Sequence, residues 1–133
     1  MKTSLKLLHW IPRIICILAI LFISLFAADA FEPGLTIWQQ LGDFFFHLIP
    51  SFVLLGFLLL AWKRELIGGI IFTVIGIAFS PFVFMMNYHR NHSIAISLGI
   101  ILLITVPFIV VGILFIVSHH FKKRESSKTV QTT

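Results

Sequence analysis

The sequence has little charge and almost no cysteine. Asp, Glu, Lys and Arg make up 11% of the 133 residues, whereas 59% are hydrophobic. A soluble domain of this length needs more charge to cover its surface, so the composition indicates a membrane protein instead. The single cysteine, Cys16, lies in an apolar run and cannot form an internal disulfide, and the sequence has no Cys-x-x-Cys motif. We interpret Cys16 as a small buried hydrophobic residue.

Most of the sequence consists of long apolar stretches. Residues 44–62 and 66–86 are separated only by the charged triplet Lys63, Arg64 and Glu65. Each arm has about 20 residues, which at ~1.5 Å of rise per residue spans the ~30 Å hydrocarbon core of a bilayer. Because so short a turn can join only antiparallel neighbours, this segment is predicted to be a transmembrane hairpin.

Two further apolar stretches, at about residues 11–30 and 93–117, complete the predicted fold. It is an all-α, up-down antiparallel bundle of four transmembrane helices that occupies residues 11–117. A short N-terminal segment (residues 1–10) precedes the bundle, and a polar tail (residues 118–133) follows it. No internal repeat or second domain is present.

The first span has two interpretations. A basic start, an apolar run of about 14 residues and an ending of Ala28-x-Ala30 are also typical of a cleavable signal peptide. Apolar residues before position 12 lengthen the run and favour a retained helix over residues 11–30. After it, Glu32, Pro33 and Gly34 predict a turn, and residues 35–41 are compatible with a short interfacial helix.

The basic residues predict the orientation. If the N-terminus is cytoplasmic, Arg90 is the only basic residue on the outer side. The others all lie inside: Lys2, Lys6, Arg13, Lys63, Arg64, Lys122, Lys123, Arg124 and Lys128. This bias predicts a multi-pass protein of the cytoplasmic (inner) membrane with both termini inside. Because the basic residues sit at helix ends and not in a stripe with aromatics, no nucleic-acid partner is expected.

Small residues predict where the helices approach closely, because helices in lipid gain little from packing leucines together. Gly69, Thr73 and Gly76 share one face of the third helix, and Ala95 and Gly99 form a small-xxx-small pair on the fourth. Packing within the bundle is the first interpretation. The alternative is that these faces contact a second copy or another membrane protein.

Polar side chains predict a pocket in the outer part of the bundle. Five candidates fall near this level: Asp43, His47, Ser51, Ser80 and Ser97. Pro50 and Pro81 each remove a backbone hydrogen bond at a similar depth, which predicts bends that open a gap there. An ionisable residue within a span is a functional hypothesis by default, and His47, one turn from Asp43, is the deepest one.

Metal and catalytic sites are less well supported. His89 and His92 form a His-x-x-His pair, but without a third ligand this is a weak metal signal. Asp43, His47 and Ser51 lie along one helix face, which provides neither an oxyanion hole nor a nucleophile turn. We therefore expect no enzyme activity, metal or cofactor.

The hairpin resembles a group of short, uncharacterised prokaryotic four-span membrane proteins. The residues that carry the resemblance are His47-Leu48-Ile49-Pro50, Ala61-Trp62-Lys63, Glu65-Leu66-Ile67-Gly68-Gly69, and Pro81 after Gly76. The resemblance implies a four-helix membrane domain and brings no assigned activity. Small multidrug transporters are similar in length but carry an acidic residue within their first helix, whereas the first acid here is Asp29 at the helix end.

These observations predict a non-enzymatic accessory or interaction protein that is embedded in the lipid bilayer. Apolar inner halves, which leave no polar path across the membrane, favour this function. The alternative is a transporter or channel component, in the form of a homo-oligomer, with an outward-facing polar pocket around His47.

Overall fold

The computed structural model of the protein describes residues 3–132. Lys2, one of the nine basic residues assigned to the inside, and Thr133 at the end of the tail lie outside these residues. The helices are α1 (Thr3–Leu25, continued by a 3-10 helix at Phe26–Ala30), α2 (Ile37–Lys63), α3 (Glu65–Asn91), α4 (Ile94–Ile104) and α5 (Val106–Gln131). No strand occurs between residues 3 and 132.

Four helical rods are long and apolar enough to cross a membrane. They are Thr3–Ala30, Ile37–Lys63, Glu65–Asn91 and Ile94–Gln131. The predicted all-α, four-helix antiparallel fold is thereby confirmed, and the chain is a multi-pass membrane protein by the length and composition of its helices.

The connection before α2 is a turn followed directly by that helix. Gly34 has a φ of +110°, a conformation that glycine adopts without steric cost. Thr36 then caps α2: its Oγ1 accepts a hydrogen bond from the backbone N–H of Gln39 at 3.4 Å, and Gln39 Oε1 accepts one from the N–H of Thr36 at 3.1 Å. This capping box starts α2 at Ile37, so residues 37–41 are the first turn of α2 and residues 35–41 do not form a separate interfacial helix.

The two later connections are shorter than the sequence indicated. Arg64 alone separates α2 from α3, and its backbone N–H donates to the carbonyl of Leu60 at 2.8 Å. Helix α3 continues to Asn91 and ends at His92, which has left-handed geometry with a φ of 51°. Ser93 then caps α4, since its hydroxyl accepts from the N–H of Ile96 at 3.4 Å.

The fourth rod is broken at Thr105, which separates α4 from α5. Pro107 lies just beyond the break and has no N–H to donate to a preceding carbonyl. The hydroxyl of Thr105 donates to the carbonyl of Ile101 at 3.0 Å. Helix α5 then continues to Gln131, so most of the predicted polar tail is helical.

The core lies between α3 and α5, with α1 and α2 closing the ring of helices. Phe72 of α3 is fully buried and stacks between two rings of α5, with centroids 6.0 Å from Phe108 and 6.3 Å from Phe115. Cys16 of α1 is fully buried in the same cluster, as its apolar run predicted. We call Phe108, Phe72 and Phe115 the aromatic column.

Candidate functional site

A cluster of ionisable side chains joins three helices where the α2–α3 turn closes the bundle. Glu65, the first residue of α3, is its centre. His9 and Arg13 lie one turn apart on α1, and Ser118 and Lys122 lie one turn apart on α5, so each pair shares one helix face. The ring of helices brings both faces to Glu65. We call these five residues the Glu65 cluster.

Both carboxylate oxygens of Glu65 accept hydrogen bonds. Oε1 accepts from Arg13 Nη2 at 3.0 Å and from Lys122 Nζ at 2.7 Å, and Oε2 accepts from Ser118 Oγ at 3.3 Å. The Nδ1 of His9 lies 3.2 Å from Oε1 and within hydrogen-bond distance of Lys122 Nζ. The carboxylate is therefore the shared partner of groups from α1 and α5.

Arg13 is the most deeply buried member of the cluster, with no exposed surface. Its Nη1 donates to the backbone carbonyl of His9. The guanidinium lies over two rings, 5.2 Å from the centroid of Trp62 and 5.3 Å from that of Phe115, distances at which cation–π attraction is favourable. Its Nε makes no hydrogen bond within the described part of the chain.

Ion pairs to one carboxylate link the helices of the cluster. One carboxylate lies between two basic side chains, Arg13 and Lys122, and the Glu65 side chain is only 10% exposed. A buried charge is strongly destabilising when unpaired, so the fully buried Arg13 depends on the carboxylate. Trp62 adds α2 to the assembly, and Trp10 packs edge-on against it with centroids 6.0 Å apart. All four rods are thus tied together at this end.

The structure does not bring the five candidates for the outer pocket together. His47 and Asp43 are exposed, and His47 Nδ1 donates to the backbone carbonyl of Asp43 at 2.8 Å, not to its carboxylate. Buried Ser51 of α2 lies with its Oγ 3.0 Å from that of Ser24 of α1. Ser80 and Ser97 are each bonded elsewhere.

The hydroxyls of these two serines each donate to a backbone carbonyl one helical turn earlier. Ser80 Oγ donates to the carbonyl of Gly76 at 2.7 Å and lies 3.0 Å from Oγ1 of Thr105, next to the break in the fourth rod. Ser97 is fully buried, and its hydroxyl donates to the carbonyl of Ser93 at 2.8 Å.

The small residues of α3 and α4 lie in different surroundings. On α3, a Cβ added at Gly69 would lie 2.7 Å from the carbonyl oxygen of Gly112, and one at Gly76 would lie 3.3 Å from that of Thr105. Thr73 lies on the same face, against Gly112. Ala95 and Gly99 of α4 are exposed, and a Cβ at Gly99 would meet nothing within 4 Å.

The histidine pair is on the surface. His89 and His92 are both exposed, at the end of α3 and at its cap. Between residues 3 and 132 the structure holds no group of three or more His, Cys, Asp or Glu side chains placed to hold a metal ion.

A cleft of about 420 Å³ lies between α2 and α3. Its walls are almost entirely apolar and come mainly from residues 49–57 of α2 and 75–83 of α3, with Ile104, Thr105 and Phe108 beneath them. Pro50 lines it, but Pro81, His47, Ser51 and Ser80 do not, so this apolar cleft is not the polar pocket expected around His47. We call this space the central cleft.

The sequence interpretation missed the Glu65 cluster because its members are distant in the chain. Arg13 and Lys122 were assigned to the membrane surface, as basic residues at helix ends usually are. The signal was nevertheless present. Glu65 is an acid at the basic end, and a polar pair at i, i+4 faces it from each of the first and last helices.

Family membership rests on a match over nearly all of the chain. The model of a domain of unknown function, DUF7670, matches residues 1–128. The chain belongs to this family. No curated protein and no solved structure matches it. All members of the Glu65 cluster and all walls of the central cleft fall within the DUF7670 match.

Proposed function

We propose that this DUF7670 protein is a small, non-enzymatic accessory or interaction protein of the cytoplasmic membrane. The observation that carries the proposal is the Glu65 cluster. Its charges are directed at one another and tie α1, α3 and α5 into a rigid frame. Ionisable groups engaged in this way hold helices in position, which suits a protein that presents a fixed surface to a partner.

The cluster also supports the orientation with both termini in the cytoplasm. Arg13, the α2–α3 turn and Lys122 meet at one end of the bundle. Most of the basic residues lie at this end, and the positive-inside rule assigns such an end to the cytoplasm. Retention of the first span is part of the proposal, since its cleavage would remove Arg13 and Cys16 from the core.

The proposed partner is another membrane protein or a second copy of the chain, and the candidate contact is the exposed Ala95–Gly99 face of α4. Small exposed residues let a second helix approach closely. Gly99→Cys in a Cys16→Ser background should give one defined oxidative or bifunctional cross-link in membranes. Leu98→Cys, exposed on the neighbouring face, is the control. Equal products at both positions would mean random collision and would contradict the proposal.

A transporter or channel component is the second candidate, and the central cleft is the observation that favours it. The cleft is bounded by Pro50 of α2 and Gly76 of α3, so movement of either helix would change its width. Proton flux into dye-loaded proteoliposomes tests this function. A flux that depends on the protein and is abolished by Val53→Trp, which fills the cleft, would favour transport over the accessory role.

A further inference from the structure

We propose that the central cleft is a binding site for one acyl chain of a membrane phospholipid. This site is separate from the Glu65 cluster and does not depend on the accessory function proposed above.

The first argument is depth. The walls from residues 49–57 and 75–83 lie near the middle of α2 (Ile37–Lys63) and α3 (Glu65–Asn91). Each wall covers eight residue steps, or about 12 Å at ~1.5 Å per residue. At this depth the bilayer consists of acyl chains, because its hydrocarbon core extends ~15 Å to either side of the centre.

The second argument is the chemistry of the walls. Among the wall residues that the structure describes, Thr105 is the one with a polar side chain, and its hydroxyl already donates to Ile101 and lies 3.0 Å from Ser80 Oγ. The other walls are aliphatic or aromatic, and Ile49, Val53 and Phe79 are half-exposed along the opening. A polar ligand would leave its groups unsatisfied here, at a cost of several kcal/mol each, whereas a hydrocarbon chain makes dispersion contacts on every side.

The third argument is size. A helix is about 10 Å across with its side chains, so a 12 Å length of one occupies about 940 Å³. The cleft measures about 420 Å³. A helix segment of the larger volume cannot be enclosed in the cleft and would only lie across its opening. One acyl chain, which is a single file of methylene groups, is narrow enough to enter it.

The test is native mass spectrometry of the full chain after delipidation in detergent and addition of defined phospholipids. With palmitoyl-oleoyl phosphatidylcholine, the wild-type chain should retain one lipid that resists a further detergent wash. Val53→Trp, which fills the cleft, should reduce this occupancy at least fivefold. Leu55→Trp is the matched control, because Leu55 is exposed on the same helix but does not line the cleft.

Two further lipids test whether the cleft recognises the acyl chain or the headgroup. Phosphatidylglycerol with the same chains should bind equally well, since no charged side chain from residues 3–132 lines the cleft. Dihexanoyl phosphatidylcholine should not be retained, because six carbons do not reach the centre of the bilayer. Equal occupancy in the two tryptophan variants, a strong headgroup preference, or retention of the short-chain lipid would overturn the proposal. Protection of Cys16 from a thiol reagent verifies that each variant is folded.

Discussion

Loss of the Glu65 carboxylate should destabilise the protein more than loss of either of its cations. Glu65→Leu leaves Arg13 fully buried beside a residue that cannot accept its hydrogen bond. A guanidinium does not lose its proton in proteins, so the charge has no means of neutralisation. Arg13→Met is milder, because the carboxylate keeps Lys122 at 2.7 Å, and that lysine is 32% exposed.

The magnitudes follow from this asymmetry. Breaking a buried pair by removing one partner costs about 3–5 kcal/mol, which we expect for Glu65→Leu. Arg13→Met should cost about 1–3 kcal/mol, the range for loss of a hydrogen bond to a charged group that keeps another partner. The double variant replaces both charges with apolar groups, an exchange that is often nearly neutral. It should be more stable than Glu65→Leu alone by at least ~2 kcal/mol.

Cys16 provides the assay, because the only cysteine of the chain is fully buried on α1, three residues after Arg13. Its reaction with a fluorogenic maleimide during an SDS titration in mixed micelles reports unfolding of α1 from the core. Arg64→Met, which removes an exposed cation next to Glu65, is the control and should change stability little. Additive losses in the double variant would refute the reasoning, since they would mean that Arg13 and Glu65 do not depend on each other.

Three further outcomes are expected. Ser126→Cys should be protected from an impermeant thiol reagent in intact cells while Arg90→Cys is labelled, both in a Cys16→Ser background, and the opposite pattern would reverse the orientation. Gly69→Leu should lower stability by about 1–3 kcal/mol, since its Cβ would meet backbone. Gly99→Leu should be nearly neutral in the monomer, and equal losses at both positions would contradict the packing described for α3. The intact mass of the membrane-purified chain should include residues before Ala30, whereas a mass that begins after it would show cleavage.

The four rods were predictable from sequence because bilayer thickness fixes how long an apolar helix must be. The finer boundaries were not, since they depend on local bonds. The capping box at Thr36 starts α2 earlier than the apolar run does, and α3 continues through polar residues to Asn91. Similarly, Pro107 lies two residues after the break at Thr105, but a proline alone does not indicate whether a helix bends or ends.

The Glu65 cluster could not be derived in the same way, because hydropathy describes each helix separately. Which faces meet is decided by packing among helices, and here Gly69 and Gly112 let α3 and α5 approach closely. That approach places Ser118 and Lys122 beside Glu65. The outer pocket was predicted from depth alone, and depth does not decide which side chains meet. Its residues face different neighbours, as the contact of Ser51 with Ser24 illustrates.

A tilt of α5 about the break at Thr105 would move its two ends by very different distances. The 26 residues of α5 are about 39 Å long at ~1.5 Å per residue, so a tilt of about 5° about the break moves the far end by about 3 Å. Phe108, close to the pivot, moves by less than about 0.5 Å in the same tilt, within a core that tolerates little displacement. A force that a partner applies at the end of α5 would therefore act on the aromatic column with a mechanical advantage, because the end lies much farther from Thr105 than Phe108 does. The hydrogen bond between Lys122 and Glu65 joins the distal part of α5 to α3, so it would have to break before α5 could tilt.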